Sequence, residues 1–435
     1  MLWSALACGF VAALLLSRIS GFGIWDPWEL GTADLARHLA AGDPVTTPAS
    51  WSTWLVSQGF RHFGVHEWAG RTPIALAGIV TALLAYMIGS RFAGPRVGLY
   101  TALITGTSPL FVFNARAMLG DAPAFATHTA VGLCALGAAF PARSPSADKP
   151  TRTLGWLLAL GAALALAVGT RGALLGALPP LLAATLVSWI MRPTGDSTEP
   201  ARDLSRYVLS ALSVALVALV VRDAVGDSAQ RSLWLGGQAT SGTPPTFDSV
   251  IEAVFQSFAP WSALLPLAMG RMWQLTAAVH EEAGPAAEAP TQDRAAPLRL
   301  AALLWAALGY GAQTLFLSRY GREVTFLPLA ALAVLVALFL DDVERHDRRS
   351  WAAAVAALFL AGLILRDYAL YPNSPLRGVP IANFEVPKVW NPKGAWALAF
   401  GAFGALALLG LGTPTAQGSP RWLAPYRFVP EQWRR

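Results

Sequence analysis

The sequence predicts an all-α polytopic membrane protein of about twelve transmembrane helices, on three observations. Hydrophobic residues make up 54% of the 435 residues and charged residues 13%. A water-soluble chain carries about 25% charged residues, so this one has too few to cover a solvated surface of its size. Apolar runs of about 17 residues or more recur along the chain, each long enough to cross hydrocarbon as a helix. Several are interrupted by proline, as at Pro179-Pro180 and Pro266, which spanning helices tolerate when neighbours satisfy the freed backbone groups.

The first run, 2–22, lacks a basic leader and is followed by many others, so it reads as a first span rather than a cleaved signal. The remaining runs fall at 72–90, 97–113, 122–140, 154–169, 173–191, 204–221, 258–275, 298–317, 324–340, 351–365 and 394–412. Together they make residues 1–435 a single transmembrane domain, with no large soluble domain expected after the last run. Cys8 and Cys134 both fall inside runs, where a thiol is a small apolar residue and no zinc spacing is formed. The net charge of +6 suits anionic head groups or a phosphate-bearing substrate. No basic stretch interleaved with aromatics points to nucleic acid.

With a cytoplasmic amino terminus, one set of loops carries a modest Lys and Arg excess, as expected of the inner side. Three inner stretches, 141–150, 192–200 and 281–297, have the Pro-, Ser- and Glu-rich composition of solvated linkers. The outer segments differ. The first, 23–71, contains helix-compatible stretches at 33–41 and 53–63 with Trp51, Trp54, Phe60 and Trp68, which suits short helices lying in the interface. Outer loops 222–257 and 367–393 are long enough to cover a site.

Chemistry concentrates on that outer side. Asp26 and Glu29 follow the first run, where carboxylates at the edge of hydrocarbon must be solvated or paired. They read either as a catalytic or binding pair or as helix-ending acids flanked by Trp25 and Trp28. Asp121 returns to the same face after two spans; it joins those acids in one cluster or pairs with Arg116 at a helix end. Arg37, Arg71, Arg116 and Arg171 gather there as an anion site. Arg319, Tyr320 and Arg322 form a plausible fork for phosphate oxygens, which guanidinium binds bidentately, with interfacial snorkelling as the plain alternative.

The order of these motifs resembles the polyprenyl-phosphate-sugar-dependent glycosyltransferases of the GT-C class, family 39 type, which includes protein O-mannosyltransferases and the aminoarabinose transferase of lipid A. The resemblance rests on Trp25-Asp26-Pro27-Trp28-Glu29, Thr32-Ala33-Asp34-Leu35-Ala36-Arg37, Ala41-Gly42-Asp43, and Phe63-Gly64-Val65-His66-Glu67-Trp68-Ala69-Gly70-Arg71-Thr72-Pro73. It continues in Thr107-Ser108-Pro109-Leu110-Phe111, Ala115-Arg116 with Asp121, Phe258-Ala259-Pro260-Trp261, and Arg319-Tyr320 with Leu327-Pro328. It departs from the family where Pro27 and Trp28 separate two acids that are usually adjacent, which leaves the base open between Asp26 and Glu29. It departs again at Thr46-Thr47-Pro48-Ala49-Ser50-Trp51, where family members often carry a Lys-Pro pair.

The resemblance implies an enzyme that moves a sugar from a polyprenyl-phosphate donor to an envelope lipid, glycan or protein acceptor. The active site would face the periplasm or exterior from a bacterial inner (plasma) membrane. An acid would activate the acceptor, and arginines would stabilise the departing polyprenyl phosphate. A divalent metal is neither required nor excluded. Two other readings remain: a transporter or flippase of a lipid-linked anion, and a catalytically inactive GT-C-like subunit.

Overall fold

The computed structural model describes residues 2–21, 23–24, 29–45, 50–118, 121–140, 150–191, 200–225, 247–282, 295–320, 325–346, 351–371 and 392–411. Regular structure among them is helical throughout. The helices are α1 (Leu2–Leu16), α2 (Leu30–Ala41), α3 (Trp51–Phe63), α4 (Glu67–Phe92), α5 (Pro95–Thr107), α6 (Pro109–Asn114), α7 (Ala122–Ala139) and α8 (Pro150–Arg171). After a π-helical turn (Gly172–Ala177) come α9 (Leu178–Ile190), α10 (Pro200–Val225) and α11 (Phe247–Ser257). A short 3-10 turn (Trp261–Leu264) leads to α12 (Leu265–Glu282), α13 (Ala296–Tyr320), α14 (Leu329–His346), α15 (Trp351–Leu370) and α16 (Pro392–Leu411).

Each apolar run holds helix, but fewer elements qualify as crossings than the expected twelve. Among the described residues, five helical stretches are long and apolar enough to cross a membrane, or six if one bent pair counts as a span. The shortfall has local causes. The first run stops being helical at Leu16, where a turn with Arg18 at φ 49° takes over. The third run is cut at Ser108, which is extended (ψ 136°) before Pro109, as the residue preceding a proline tends to be. The 258–275 run lies across a 114° bend between Val250–Ser257 and Trp261–Ala277.

The expected fifth and sixth runs form one unbroken helical stretch, Thr151–Ile190. It nevertheless doubles back. Gly172 sits at φ 74°, a left-handed conformation that costs glycine little. A side chain on Gly176 would come within 2.5 Å of the Ala167 carbonyl oxygen, although nine residues of straight helix would separate the two by about 13 Å. The loop expected at 222–257 is partly helical, since α10 runs on to Val225 and α11 begins at Phe247.

The centre of the bundle is α4, packed against α1, α3, α5 and α7. Beyond it, α7 lies against α8 and α9, while α14 lies between α5, α12 and α13. Residues 329–339 of α14 are all buried, as expected of a helix that is apolar on every side. Leu154 and Leu158 on α8 and Val214 on α10 are exposed instead, which is how a lipid-facing surface reads in a membrane protein. The two short helices expected in the first outer segment are α2 and α3. Ser50 caps α3 by accepting from the Thr53 N–H at 3.1 Å, and Gly42 closes α2 at φ 82°.

Candidate active site

One end of the bundle collects the end of α1, the start of α2, the start of α4, the 114–121 connection and the fold-back after α8. Glu29 precedes α2 yet makes no side-chain cap, because its carboxylate is used elsewhere. It is 0% exposed, and so is its partner Arg71 on the first turns of α4. Arg71 Nε donates to Glu29 Oε1 at 3.1 Å, and Arg71 Nη2 donates to Glu29 Oε2. The Met118 N–H adds a third bond, to Oε1 at 2.9 Å.

Arg71 also reaches backbone. Its Nη1 donates to the Ile19 carbonyl at 3.1 Å and its Nη2 to that of Gly23 at 2.8 Å. Arg116 does the same one turn earlier, donating to Leu14 O at 2.9 Å and Ser17 O at 2.6 Å. The last carbonyls of a helix have no partner within it, and here two arginines supply donors to the end of α1 and the turn that follows. Burial first, and then the nearby Arg71 charge, hold the Arg116 pKa below its ordinary value.

Asp121 stands at the head of α7 but does not cap it; Pro123 occupies the second helical position and offers no N–H. Its Oδ2 faces Arg171 Nη2 at 2.9 Å, while its backbone N–H donates to Asn114 Oδ1 at 3.0 Å. Arg171 is the last residue of α8, immediately before Gly172. The 114–121 connection therefore meets Glu29 through Met118 and Arg171 through Asp121.

These positions revise three expectations. Glu29 is not a solvated acid at a wet membrane edge: it is enclosed and bonded on both oxygens. Arg116 and Asp121 do not pair with each other, since the first serves α1 and the second meets Arg171. Arg37 is not drawn into the cluster by any contact described; 54% exposed, it pairs with Asp34 at 2.8 Å on the outward side of α2. The Asp34 carboxyl is held below its usual range mainly by that hydrogen bond. Asp26 and Arg322 lie outside the described residues, as do the side chains of Arg319 and Tyr320 at the end of α13. Among the described residues no three His, Cys, Asp or Glu side chains are grouped to hold a metal ion.

Sequence reasoning passed over His128, which lies on α7 beside the fold-back. Its Nδ1 is 2.8 Å from the Gly176 carbonyl, and its Nε2 is 2.8 Å from Trp305 Nε1 on α13. An ionisable residue inside an apolar run is by default a functional candidate, and that rule was the available signal.

Comparison with known proteins bears on this arrangement. Residues 49–221 match the family profile described as dolichyl-phosphate-mannose-protein mannosyltransferase. That span contains Arg71, Arg116, Asp121, His128 and Arg171. The chain is 30% identical over 281 residues to the undecaprenyl phosphate-alpha-4-amino-4-deoxy-L-arabinose arabinosyl transferase of Pseudomonas aeruginosa strain LESB58, covering 59% of this chain and 48% of that protein. A Pseudomonas fluorescens Pf0-1 protein of the same description is 27% identical, with 62% and 48% covered. The chain thus spans about half the length of the curated relatives it matches. The crystal structure of ArnT from Cupriavidus metallidurans bound to undecaprenyl phosphate superposes with a TM-score of 0.61 at 20% identity, covering 94% of this chain and 73% of that one. Its apo form gives 0.60. The chain shares the helical fold of that structure and is similar in sequence to glycosyltransferases of this type.

Proposed function

We propose that this protein is a membrane glycosyltransferase that takes a sugar from a polyprenyl-phosphate donor and passes it to a lipid, glycan or protein acceptor. One observation carries the reading furthest. Arg71 holds Gly23 through its carbonyl and Glu29 through its carboxylate, and those two residues bracket the stretch of sequence that contains Asp26. A buried staple of this kind suits a short segment whose carboxylate must be presented reproducibly, since catalysis depends on positioning. Relatives described as undecaprenyl phosphate-alpha-4-amino-4-deoxy-L-arabinose arabinosyl transferases give the reading its substrate class.

In the proposed reaction an acceptor oxygen attacks the anomeric carbon of the sugar. The bond from that carbon to the phosphate oxygen breaks, and polyprenyl phosphate leaves with the electron pair. Asp26 takes the acceptor proton. Arg171, set by Asp121, and the fork of Arg319, Tyr320 and Arg322 neutralise charge developing on the leaving phosphate. Glu29, Arg71 and Arg116 position backbone, and Arg37 meets anionic head groups at the rim. The domain plan proposed is one transmembrane unit of about twelve crossings, with 23–71 carrying the acids and the 222–257 and 367–393 segments beside them. The site would face the periplasm or exterior.

Membranes bearing the full chain, supplied with a radiolabelled undecaprenyl-phosphate-linked sugar, test this. Label should leave the donor for an envelope acceptor, about 10²–10⁴-fold more slowly with Asp26→Asn, the usual span for loss of a positioned acid or base. Transfer unchanged by that substitution would remove Asp26 from the mechanism. Label that never leaves the donor, with either form, would overturn the transferase itself.

A further inference from the structure

The fold-back between α8 and α9 is gripped on both sides by consecutive residues of α7. Before it, Thr127 Oγ1 meets Thr170 Oγ1 at 2.9 Å. After it, His128 Nδ1 lies 2.8 Å from Gly176 O. Between the two contacts stand Arg171 and left-handed Gly172. The far side of the imidazole is fixed as well, since the Trp305 indole is donor only and its Nε1 is 2.8 Å from His128 Nε2. Nε2 therefore accepts, the ring proton sits on Nδ1, and the bond to Gly176 runs from histidine to carbonyl. The imidazole and its indole partner are fully enclosed, His128 at 0% and Trp305 at 2% exposure, while Thr127, Thr170 and Arg171 are half-buried.

We infer that His128 is a positioning residue for Arg171, locking the α8–α9 reversal so that the guanidinium stays where it meets Asp121 and the donor phosphate. The energetic reason lies in the turn. The left-handed turn is cheap for Gly172, but a six-residue π-helical segment is rare backbone, met mostly as short bulges at functional sites, and here it depends on what packs against it. Here α7 supplies that restraint and Asp121 as well, so the arginine and its carboxylate are referred to one rigid helix. Nothing in the imidazole touches substrate; both nitrogens are spent, and its influence passes through Gly176 to the turn. The inference rests on Arg171 serving the donor phosphate, as proposed above.

Two substitutions separate the two nitrogens. Asparagine places an amide donor near the Nδ1 position and can keep the Gly176 bond; glutamine reaches the Nε2 position, keeps an acceptor for Trp305 and loses Gly176. Affinity of the purified full-length protein for undecaprenyl phosphate is measured for His128→Asn, His128→Gln, Arg171→Gln and the His128→Gln/Arg171→Gln double variant. Thermal unfolding is recorded alongside. Arg171→Gln and His128→Gln should each weaken binding about ten-fold, as displacement of a binding group by a fraction of an ångström does. His128→Asn should stay near the parent, and the double variant should bind like Arg171→Gln alone, because the two act as one unit. If Arg171→Gln weakens binding and His128→Gln does not, the inference fails and Arg171 keeps its assignment. If Arg171→Gln binds like the parent, the phosphate assignment itself fails and takes the inference with it. Equal losses in the Asn and Gln variants, tracking a drop in melting temperature, would reduce His128 to a packing residue and overturn the inference.

Discussion

The two ends of the bundle are both laced with ion pairs, and they use them differently. At the α14 end, side chains meet side chains. Glu344 receives Arg96 and the Tyr100 hydroxyl from α5, the latter at 2.9 Å; Asp342 receives Arg271 from α12 at 2.8 Å; Asp341 receives Arg345 at 2.7 Å. The arginines at its rim are open to solvent, Arg345 at 54% and Arg96 at 36% exposure, although Asp341 and Asp342 themselves are buried. At the Glu29 end the Glu29–Arg71 pair is wholly enclosed, and Arg71 and Arg116 spend their charge largely on main chain, serving four carbonyls. An exposed pair can be remade with water and contributes about 0–1 kcal/mol. An enclosed one that also bonds backbone fixes the path of the chain. The contrast teaches that the two ends differ not in the number of their ion pairs but in the kind of group those pairs hold.

The contrast is broken hardest at Glu29. Glu29→Gln leaves the Arg71 charge enclosed without its counter-charge, and such a loss costs about 3–5 kcal/mol. The variant should show a markedly lower melting temperature in detergent and little transfer activity. Adding Arg71→Met removes the uncompensated buried charge and should recover part of the melting temperature, without recovering activity. A Glu29→Gln protein as stable as the parent but inactive would assign Glu29 a chemical role in place of a positioning one.

A smaller effect is expected at the opposite end. Glu344→Gln should cost about 0–1 kcal/mol and leave transfer unaltered; a loss of activity there would mean that the two ends are coupled. The smallest effect belongs to Asp34→Asn. The Asp34 pKa is lowered in the folded chain, so whatever it contributes is present above its unfolded value and fades as pH falls through the folded one. The Asp34 carboxylate is exposed to solvent, and at neutral pH the melting temperatures of parent and variant should coincide within error. A measurable difference at neutral pH would show that the Asp34–Arg37 pair does more than decorate α2.

What could be read from the residues follows how local the determining interactions are. The apolar runs announce helices because the period and length of a crossing are written within each run, and α4, α7 and α14 fall close to where hydropathy puts them. The stop after Leu16 was hidden because its causes, Arg71 and Arg116, lie far along the chain. The same distance concealed the enclosure of Glu29, whose partner Arg71 lies 42 residues later. The pairing of Asp121 with Arg171 was hidden by the reversal at Gly172, since glycine in Gly169-Thr170-Arg171-Gly172 is equally compatible with an ordinary loop. His128 was visible as a lone ionisable group in an apolar run, but its partners Gly176 and Trp305 come from two other parts of the fold.

The Glu29–Arg71 staple also sets an order of events during biosynthesis. Glu29 lies before α2 and Arg71 in the first turns of α4, so the acid is synthesised first and its arginine 42 residues later. At about 5–20 residues per second, the carboxylate spends some seconds without the group that will shelter it. Through that interval it stays hydrated or borrows another cation, and the tail of α1 keeps bare carbonyls. Closing the staple is therefore a late docking step that draws three separately made pieces together at once. A ribosome stalled before Arg71 emerges would hold a nascent chain whose first helix is in place and whose Glu29 carboxylate is still without its partner.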